Sequence, residues 1–192
     1  EAFDLTRQLV AIRSYPGEEL AVQQFVAQWL QDAGLNAELI DAGPDRPNVV
    51  ARIENGAGPT FLLNGHTDTV LASEAWAHDP WQGKREGDRF FGLGAGDMKA
   101  GVAAMMIAGR ELNRHRDKWS GTVLITSVVD EEAYSLGARA LIDGGLQADY
   151  CLVCEPGYDR PCLGAQGKYL VRVDVTGVAS HAAWPERGVN AA

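Results

Sequence analysis

Short apolar segments alternate with amphipathic helical segments through most of the chain, and this alternation restricts the folds that it can adopt. Apolar residues at helical spacing predict helices over residues 4–12, 17–33, 98–112 and 135–142. Apolar runs predict strands over residues 48–53, 60–64, 122–129 and 150–154. Because buried strands separated by helices favour parallel pairing, we expect an α/β fold with a mostly parallel sheet flanked by helices on both faces.

The pattern changes near the end of the chain. Apolar and polar residues alternate over residues 167–177, which is typical of an antiparallel strand with one solvated face. A segment containing Pro161 and Gly164 precedes it and predicts a connection between domains. We therefore predict a first domain over residues 1–164 and the start of a smaller α+β domain over residues 165–192. Residues 188–192 resemble the opening of a helix, so we expect the chain to be a fragment of a longer protein.

The charge balance argues against several classes of partner. The 192 residues include 17 Lys and Arg against 26 Asp and Glu, for a net charge of −9. An acidic chain without a basic run is a poor candidate for binding nucleic acid or anionic membranes. No apolar run approaches the roughly 20 residues that a membrane-spanning helix needs.

The cysteines indicate a reducing, cytoplasmic environment. There are 3 of them, an odd number that argues against a disulfide framework. Cys151 and Cys154 have the spacing found in zinc or redox sites, but no second pair of this kind follows. We interpret them as buried structural cysteines on the strand predicted over residues 150–154.

Polar residues with metal-binding chemistry stand at the ends of predicted strands and at the mouth of a helix. These segments are residues 65–68 (GHTD), 94–99 (GAGDMK), 130–132 (DEE) and 155–156 (EP). In open α/β sheets, ligands bind at the carboxyl ends of the strands. Carboxylates gathered there repel one another unless cations or protons neutralise them. Imidazole and carboxylate ligands together suit zinc, manganese or cobalt.

The ordered set of motifs resembles one known family. The motifs are GHTDTV at residues 65–70, GLGAGDMKAG at 92–101, DEE at 130–132, EP at 155–156 and SHAA at 180–183. Together they are similar to the dinuclear-zinc hydrolases that include acetylornithine deacetylase, succinyl-diaminopimelate desuccinylase, aminoacylase and the glutamate-releasing carboxypeptidase. The resemblance covers nearly the whole chain. It implies a zinc-exopeptidase-like catalytic domain followed by a lid that also serves for dimerisation.

The resemblance assigns a role to each matching residue. The metal ligands it implies, for two divalent ions that are zinc, cobalt or manganese, are His66, Asp97, Glu132 and Glu155. Asp97 would bridge the two ions, the Asp97–Met98 peptide bond would be cis, and Asp68 would orient His66.

Two further roles concern the reaction itself. Glu131 would be the general base that takes a proton from the attacking water. His181, in the lid, would help to bind substrate. The implied reaction is hydrolysis of an amide bond in a small N-acyl amino acid or peptide, by a homodimer formed through the lid.

Two features set this chain apart from the family pattern. Leu71 stands where the family commonly has proline, and a final metal-binding histidine that the family takes from near its C-terminus has no counterpart here. We therefore expect weak binding at the second metal site and little activity from this chain alone. An alternative is a catalytically incomplete subunit or binding piece that needs a C-terminal partner.

The glycine-rich stretch leaves nucleotide binding as a third hypothesis. Residues 92–96 (GLGAG) precede a helix, as in a dinucleotide-binding fingerprint. Asp97 occupies the place of the third glycine, where its charge would repel a pyrophosphate. The glycines fit better as a tight backbone turn beneath a metal-binding Asp97.

Overall fold

The structure is a computed structural model that describes residues 1–157, 161–164, 167 and 171–191. The described helices are Ala2–Ala11 (α1), Leu20–Asp32 (α2), Ala100–Arg114 (α3) and Leu136–Asp143 (α4). A π-helical segment, Ala95–Lys99, leads into α3, and single 3-10 turns occur at Arg116–Lys118 and Pro185–Arg187. The described strands are Asn36–Asp41 (β1), Pro47–Asn55 (β2), Thr60–His66 (β3), Lys84–Glu86 (β4), Arg89–Phe91 (β5), Gly121–Val128 (β6) and Tyr150–Val153 (β7).

The main sheet has five strands in the order β1-β2-β6-β3-β7. Strands β6, β3 and β7 are parallel, whereas β1 and β2 join the sheet by antiparallel pairing. The predicted α/β class with flanking helices is confirmed, and the sheet is mixed. The antiparallel pairing of β1 with β2 follows from the short connection over residues 42–46, because a parallel crossover needs a dozen or more residues. Strands β4 and β5 form a separate hairpin.

The core lies between one face of the sheet and the first three helices. Its α2 residues Val22, Val26 and Leu30 are fully buried, at the spacing of one helical face. Helix α3 adds Val102 and Met106 to the same cluster. The sheet contributes alternate residues along its strands, among them Val49, Ala51, Ile53, Leu63, Val123 and Ile125. This packing fixes the strands whose ends carry the polar motifs.

The helix boundaries differ in detail from the prediction. Helix α2 begins at Leu20 rather than at Gly17, whose φ of +97° does not fit a helix. Gly34 ends this helix with a φ of +83°, as its predicted C-cap role requires. Ser135 precedes α4 at the predicted N-cap position, but its side chain makes no capping hydrogen bond.

The prediction of a buried last strand is wrong. All four residues of β7 are exposed, because β7 lies at the edge of the described sheet and pairs with β3 on one side. The interpretation of two buried cysteines is therefore also wrong, since Cys151 is exposed and Cys154 is half-buried. Both, like Cys162, are free thiols.

The chain divides into two compact units, Glu1–Tyr158 and Asp159–Ala192. Part of the strand predicted over residues 167–177 lies outside the described residues, and residues 171–177 form no strand. Among the described residues of the second unit, Val178 and Val189 form an isolated antiparallel bridge. The domain limits 1–164 and 165–192 stay a prediction. Within the described part of the chain, every helix is too short or too polar to cross a membrane.

Candidate metal centre

One histidine and several carboxylates meet at the carboxyl ends of the parallel strands. His66 ends β3, the pair Glu131 and Glu132 follows β6, and Glu155 follows β7. Because these three strands are parallel neighbours, their carboxyl ends lie at one edge of the sheet. Asp97 reaches the same place from the π-helical segment before α3.

The centre is built around one nitrogen of a buried imidazole. The Nε2 atom of His66 lies 3.1 Å from Asp97 Oδ1, 3.5 Å from Glu155 Oε1 and 3.8 Å from Glu131 Oε2. The His66 side chain is 1% exposed, whereas those of Asp97, Glu131 and Glu155 are 57%, 43% and 38% exposed. The cluster is therefore open to solvent on the carboxylate side and closed behind the imidazole.

The side chains form two groups that are able to hold a metal ion. His66, Glu131 and Glu155 offer one group of ligand atoms, and His66, Asp97 and Glu132 offer another. Within each group the atoms lie within 4.8 Å of one another. Imidazole nitrogen with carboxylate oxygen is the donor set of zinc, manganese and cobalt sites, so the residues fit such ions.

Asp68 holds the imidazole from behind. The Nδ1 atom of His66 donates a hydrogen bond to the backbone oxygen of Asp68 at 2.9 Å and lies 3.4 Å from Asp68 Oδ1. A donor role for Nδ1 leaves Nε2 facing the other carboxylates, which is the orientation that a metal ligand needs. Much of this contact comes from the Asp68 backbone rather than from its carboxylate.

The Asp68 carboxylate has a second task that the sequence did not predict. Its two oxygens accept hydrogen bonds from the backbone N–H groups of Glu131 at 3.2 Å and Glu132 at 2.9 Å. The side chain is fully buried. Asp68 therefore ties the end of β3 to the segment that carries both glutamates.

The crowded carboxylates and the imidazole change one another's proton affinity. Burial disfavours the charged imidazole, but Asp68, Glu155 and Glu131 outweigh it and raise the pKa of His66 to about 9. Burial raises the pKa of Glu155 to about 7, with His66 opposing this and Asp97 adding to it. Burial and the Asp97 charge also raise the pKa of Glu132. Burial acts against ionisation of Asp68, but its hydrogen bonds to His66 and Glu132 lower its pKa overall.

A buried lysine supports the segment that carries Asp97. The Asp97–Met98 peptide is cis, as the family resemblance implies. The Lys99 Nζ donates to the backbone oxygens of Leu9 at 2.9 Å and Ile12 at 2.8 Å, at the end of α1. Burial lowers the pKa of Lys99 to about 7, against the attraction of Asp68. No sequence signal marks this role, because a lysine ahead of a helix is usually a surface residue.

His181 lies in the second unit. It is exposed, its ring centroid lies 5.4 Å from that of Trp184, and its Nδ1 accepts a hydrogen bond from Ala183 N at 3.1 Å. Its role in substrate binding stays a prediction.

Comparisons with known proteins agree with this geometry. The family description "Peptidase family M20/M25/M40" matches residues 62–187. An acetylornithine deacetylase from Vibrio atlanticus is 34% identical over 177 residues, which cover 91% of this chain and 46% of that protein. A succinyl-diaminopimelate desuccinylase from Methylorubrum populi is 34% identical over 97% of this chain and 52% of its own length. The chain thus spans about half the length of these curated relatives.

A solved structure has the same fold. It is an M20 family metallo-carboxypeptidase from Sulfolobus solfataricus, which superposes with a TM-score of 0.70 at 20% sequence identity. The match covers 80% of this chain and 37% of the carboxypeptidase.

Proposed function

The chain belongs to peptidase family M20/M25/M40, and we propose that it carries the metal-binding part of a hydrolase that cleaves amide bonds in small N-acyl amino acids or peptides. One observation carries this proposal: three carboxylates from separate segments lie within 3.8 Å of the buried His66 Nε2. Relatives named as a deacetylase and a desuccinylase support the substrate class.

The ligand assignment follows the family resemblance. His66 and Glu155 would hold one ion, Glu132 would hold the other, and Asp97 would contribute to both. All four side chains stand among the two groups of donor atoms described above. Two divalent ions, when bound, supply a Lewis acid that lowers the pKa of a water molecule and polarises an amide carbonyl. Zinc is the first candidate, with cobalt and manganese as alternatives.

The side chains of this protein would then move the proton. Glu131 is 43% exposed and makes no metal contact in this assignment, so it is free to accept a proton from the attacking water. As the carbon–nitrogen bond of the amide breaks, Glu131 gives that proton to the leaving amine. Asp68 keeps Nε2 of His66 directed at the cluster throughout.

The proposal also covers the second unit and the compartment in which the protein works. His181 would contact the substrate, and the lid over residues 165–192 would form a homodimer, both on the family resemblance. The three free thiols Cys151, Cys154 and Cys162 support a reducing, cytoplasmic compartment.

The test compares the unchanged chain with Glu131→Gln. We expect slow but measurable zinc-dependent hydrolysis of N-acetylornithine or N-succinyl-diaminopimelate by the unchanged chain, in line with the little activity expected of it alone. In the variant, we expect a loss of about 100-fold or more, because general base catalysis contributes on that order, with zinc binding retained. Glu54→Gln, at an exposed position on β2, serves as the matched control. An unchanged chain that binds no zinc, or a variant that hydrolyses as fast, would contradict the proposal.

A further inference from the structure

The segment that follows β6 and runs into the first turn of α4, residues 129–137, carries both Glu131 and Glu132, and we call it the acidic loop. It has no strand or helix of its own before Leu136. Asp68 holds its two glutamate amides from one side. Two further residues hold it from another side: Arg46, directly before β2, and Asn48, on β2.

Arg46 bonds two buried carboxylates that lie far apart in the sequence. Its Nη2 donates to Asp130 Oδ1 at 2.7 Å and also to Glu19 Oε1, while its Nε donates to Glu19 Oε2 at 3.1 Å. The side chains of Glu19 and Asp130 are 0% and 4% exposed. The planar guanidinium fork is suited to such paired contacts in a way that a lysine ammonium is not.

Asp130, held by Arg46, organises the second half of the acidic loop. Its Oδ2 accepts hydrogen bonds from Tyr134 N at 3.1 Å and Leu136 N at 3.3 Å, and its backbone oxygen accepts one from Ser135 N at 2.6 Å. Asp130 has a φ of +68°, an uncommon conformation that these contacts hold in place. It directly precedes the two glutamates.

Asn48 joins the two ends of the same loop. Its Nδ2 donates to Gly137 O at 2.9 Å, and its Oδ1 accepts from Val129 N at 3.2 Å. Asn48 is fully buried, so both bonds are shielded from water. Arg46 and Asn48 therefore fix the middle and the ends of the loop from neighbouring positions at the beginning of β2 and just before it.

The charge of Asp130 is a second reason for a cationic side chain at position 46. Asp130 places a buried negative charge directly before Glu131 and Glu132 in the chain. The Arg46 guanidinium pairs with that charge at 2.7 Å. Buried ion pairs are weak contributors to stability in general, which favours a positioning role over a purely stabilising one.

We propose that Arg46 and Asn48 are positioning residues that hold the acidic loop so that Glu131 and Glu132 face His66, and thereby set the metal affinity of the site. This inference rests on the proposed function only for its metal-binding part. The order of the loop itself is a property of the metal-free chain.

The test uses Arg46→Lys, which keeps a positive charge between Glu19 and Asp130 but removes the fork. Arg52→Lys is the matched control, because Arg52 lies nearby on β2 with a half-exposed side chain that pairs with the exposed Glu54. Hydrogen exchange of the metal-free chain measures how strongly the backbone amides of Glu131 and Glu132 are protected. A zinc titration measures the affinity of the site for zinc.

We expect the Glu131 and Glu132 amides of Arg46→Lys to exchange faster, while the amides of the β6 core stay protected. We also expect zinc affinity to fall about 10–100-fold, the usual loss when a partner that orients metal ligands is changed. The control should match the unchanged chain in both measurements. If Arg46→Lys does not fold, Asp130→Asn, which keeps the shape of the loop residue, takes its place with the same expectations.

Unchanged exchange at Glu131 and Glu132 would overturn the inference. Faster exchange with unaltered zinc affinity would overturn it too, since the order of the acidic loop would then not determine the metal affinity of the site. A failure of the unchanged chain to bind zinc would contradict the proposed function, and the exchange experiment would still decide whether Arg46 holds the loop.

Discussion

At the scale of single residues, His66 and Glu155 couple metal binding to pH. The pKa values of about 9 for His66 and about 7 for Glu155 mean that the metal-free chain carries protons on both groups in weakly acidic solution. A metal ion must displace them, because it binds the neutral imidazole and the carboxylate. Zinc affinity should therefore rise with pH, about tenfold per pH unit for each proton released.

Competition titrations between pH 6 and 8.5 measure this dependence. Calorimetry in two buffers of different ionisation enthalpy counts the protons released. The pH slope should become shallower above pH 7, where Glu155 is already ionised, while His66 still releases its proton. An affinity that does not change across this range would contradict the pKa assignments.

Lys99 offers a second prediction at this scale. Changing Lys99 to Met removes the donor to the Leu9 and Ile12 carbonyls, although it also relieves the burial of a charge. Because acceptors left unsatisfied in the interior cost about 1–3 kcal/mol each, we expect a net loss of stability of about 1–3 kcal/mol. Urea unfolding measures it, and Lys118→Met, at an exposed site, is the control.

An equal stability of the Lys99 and Lys118 variants would show that α1 and the segment carrying Asp97 are held together by other contacts. A loss confined to the Lys99 variant would support its role. The zinc affinity of the Lys99→Met variant then shows whether the contacts of Lys99 also hold Asp97 in position.

At the scale of elements, a glycine allows α3 to approach the end of β7. A Cβ atom at Gly101 would lie 2.1 Å from the backbone oxygen of Cys154, directly before Glu155. Gly101→Ala should therefore push α3 away from this segment and lower stability by about 1–3 kcal/mol, as overpacking commonly does. Zinc binding should weaken as well, because Glu155 moves relative to Asp97.

The matched control is Ala104→Ser, at an exposed position of the same helix. It should change stability by well under 1 kcal/mol, since surface substitutions commonly have small effects. A Gly101→Ala chain with the stability and zinc affinity of the control would refute the close approach of α3.

The elements that the sequence predicted well are those with strong apolar periodicity. Helix α2 and strand β6 have continuous buried faces, and their existence follows from the pattern alone. Strand β1 was not predicted because only Ala37 of its residues is buried, so no alternation marks it. The hairpin strands β4 and β5, of three residues each, are too short to show a period.

The residues of the candidate site also divide into those that the sequence predicted and those that it did not. The side chains that meet at the cluster were predicted, because they stand at strand ends and form a recognisable ordered set. The residues behind them were not: Arg46, Asn48 and Lys99 act through contacts that join distant parts of the chain. A single sequence shows which side chains have the right chemistry but not which buried partner each will find.

At the scale of the whole molecule, the metal cluster and the core both belong to the first compact unit. A chain ending at Gly164 should therefore unfold at the same temperature and bind zinc within about twofold of the full 192 residues, because no ligand group is lost. It lacks His181, so hydrolysis should fall further than zinc affinity. Calorimetry and a zinc titration on both chains measure this, and loss of zinc binding on truncation would contradict the domain proposal.

The central claim is that His66, Asp97, Glu132 and Glu155 hold metal ions, with Glu131 beside them as the general base. The most direct test is a crystal structure of the chain grown with zinc, with anomalous scattering recorded at the zinc edge. We predict an anomalous peak about 2.0–2.1 Å from His66 Nε2, a second and weaker peak on the far side of Asp97, and loss of the first in His66→Ala. A zinc-bound crystal with no peak at His66, or with peaks only at other residues, would contradict the account.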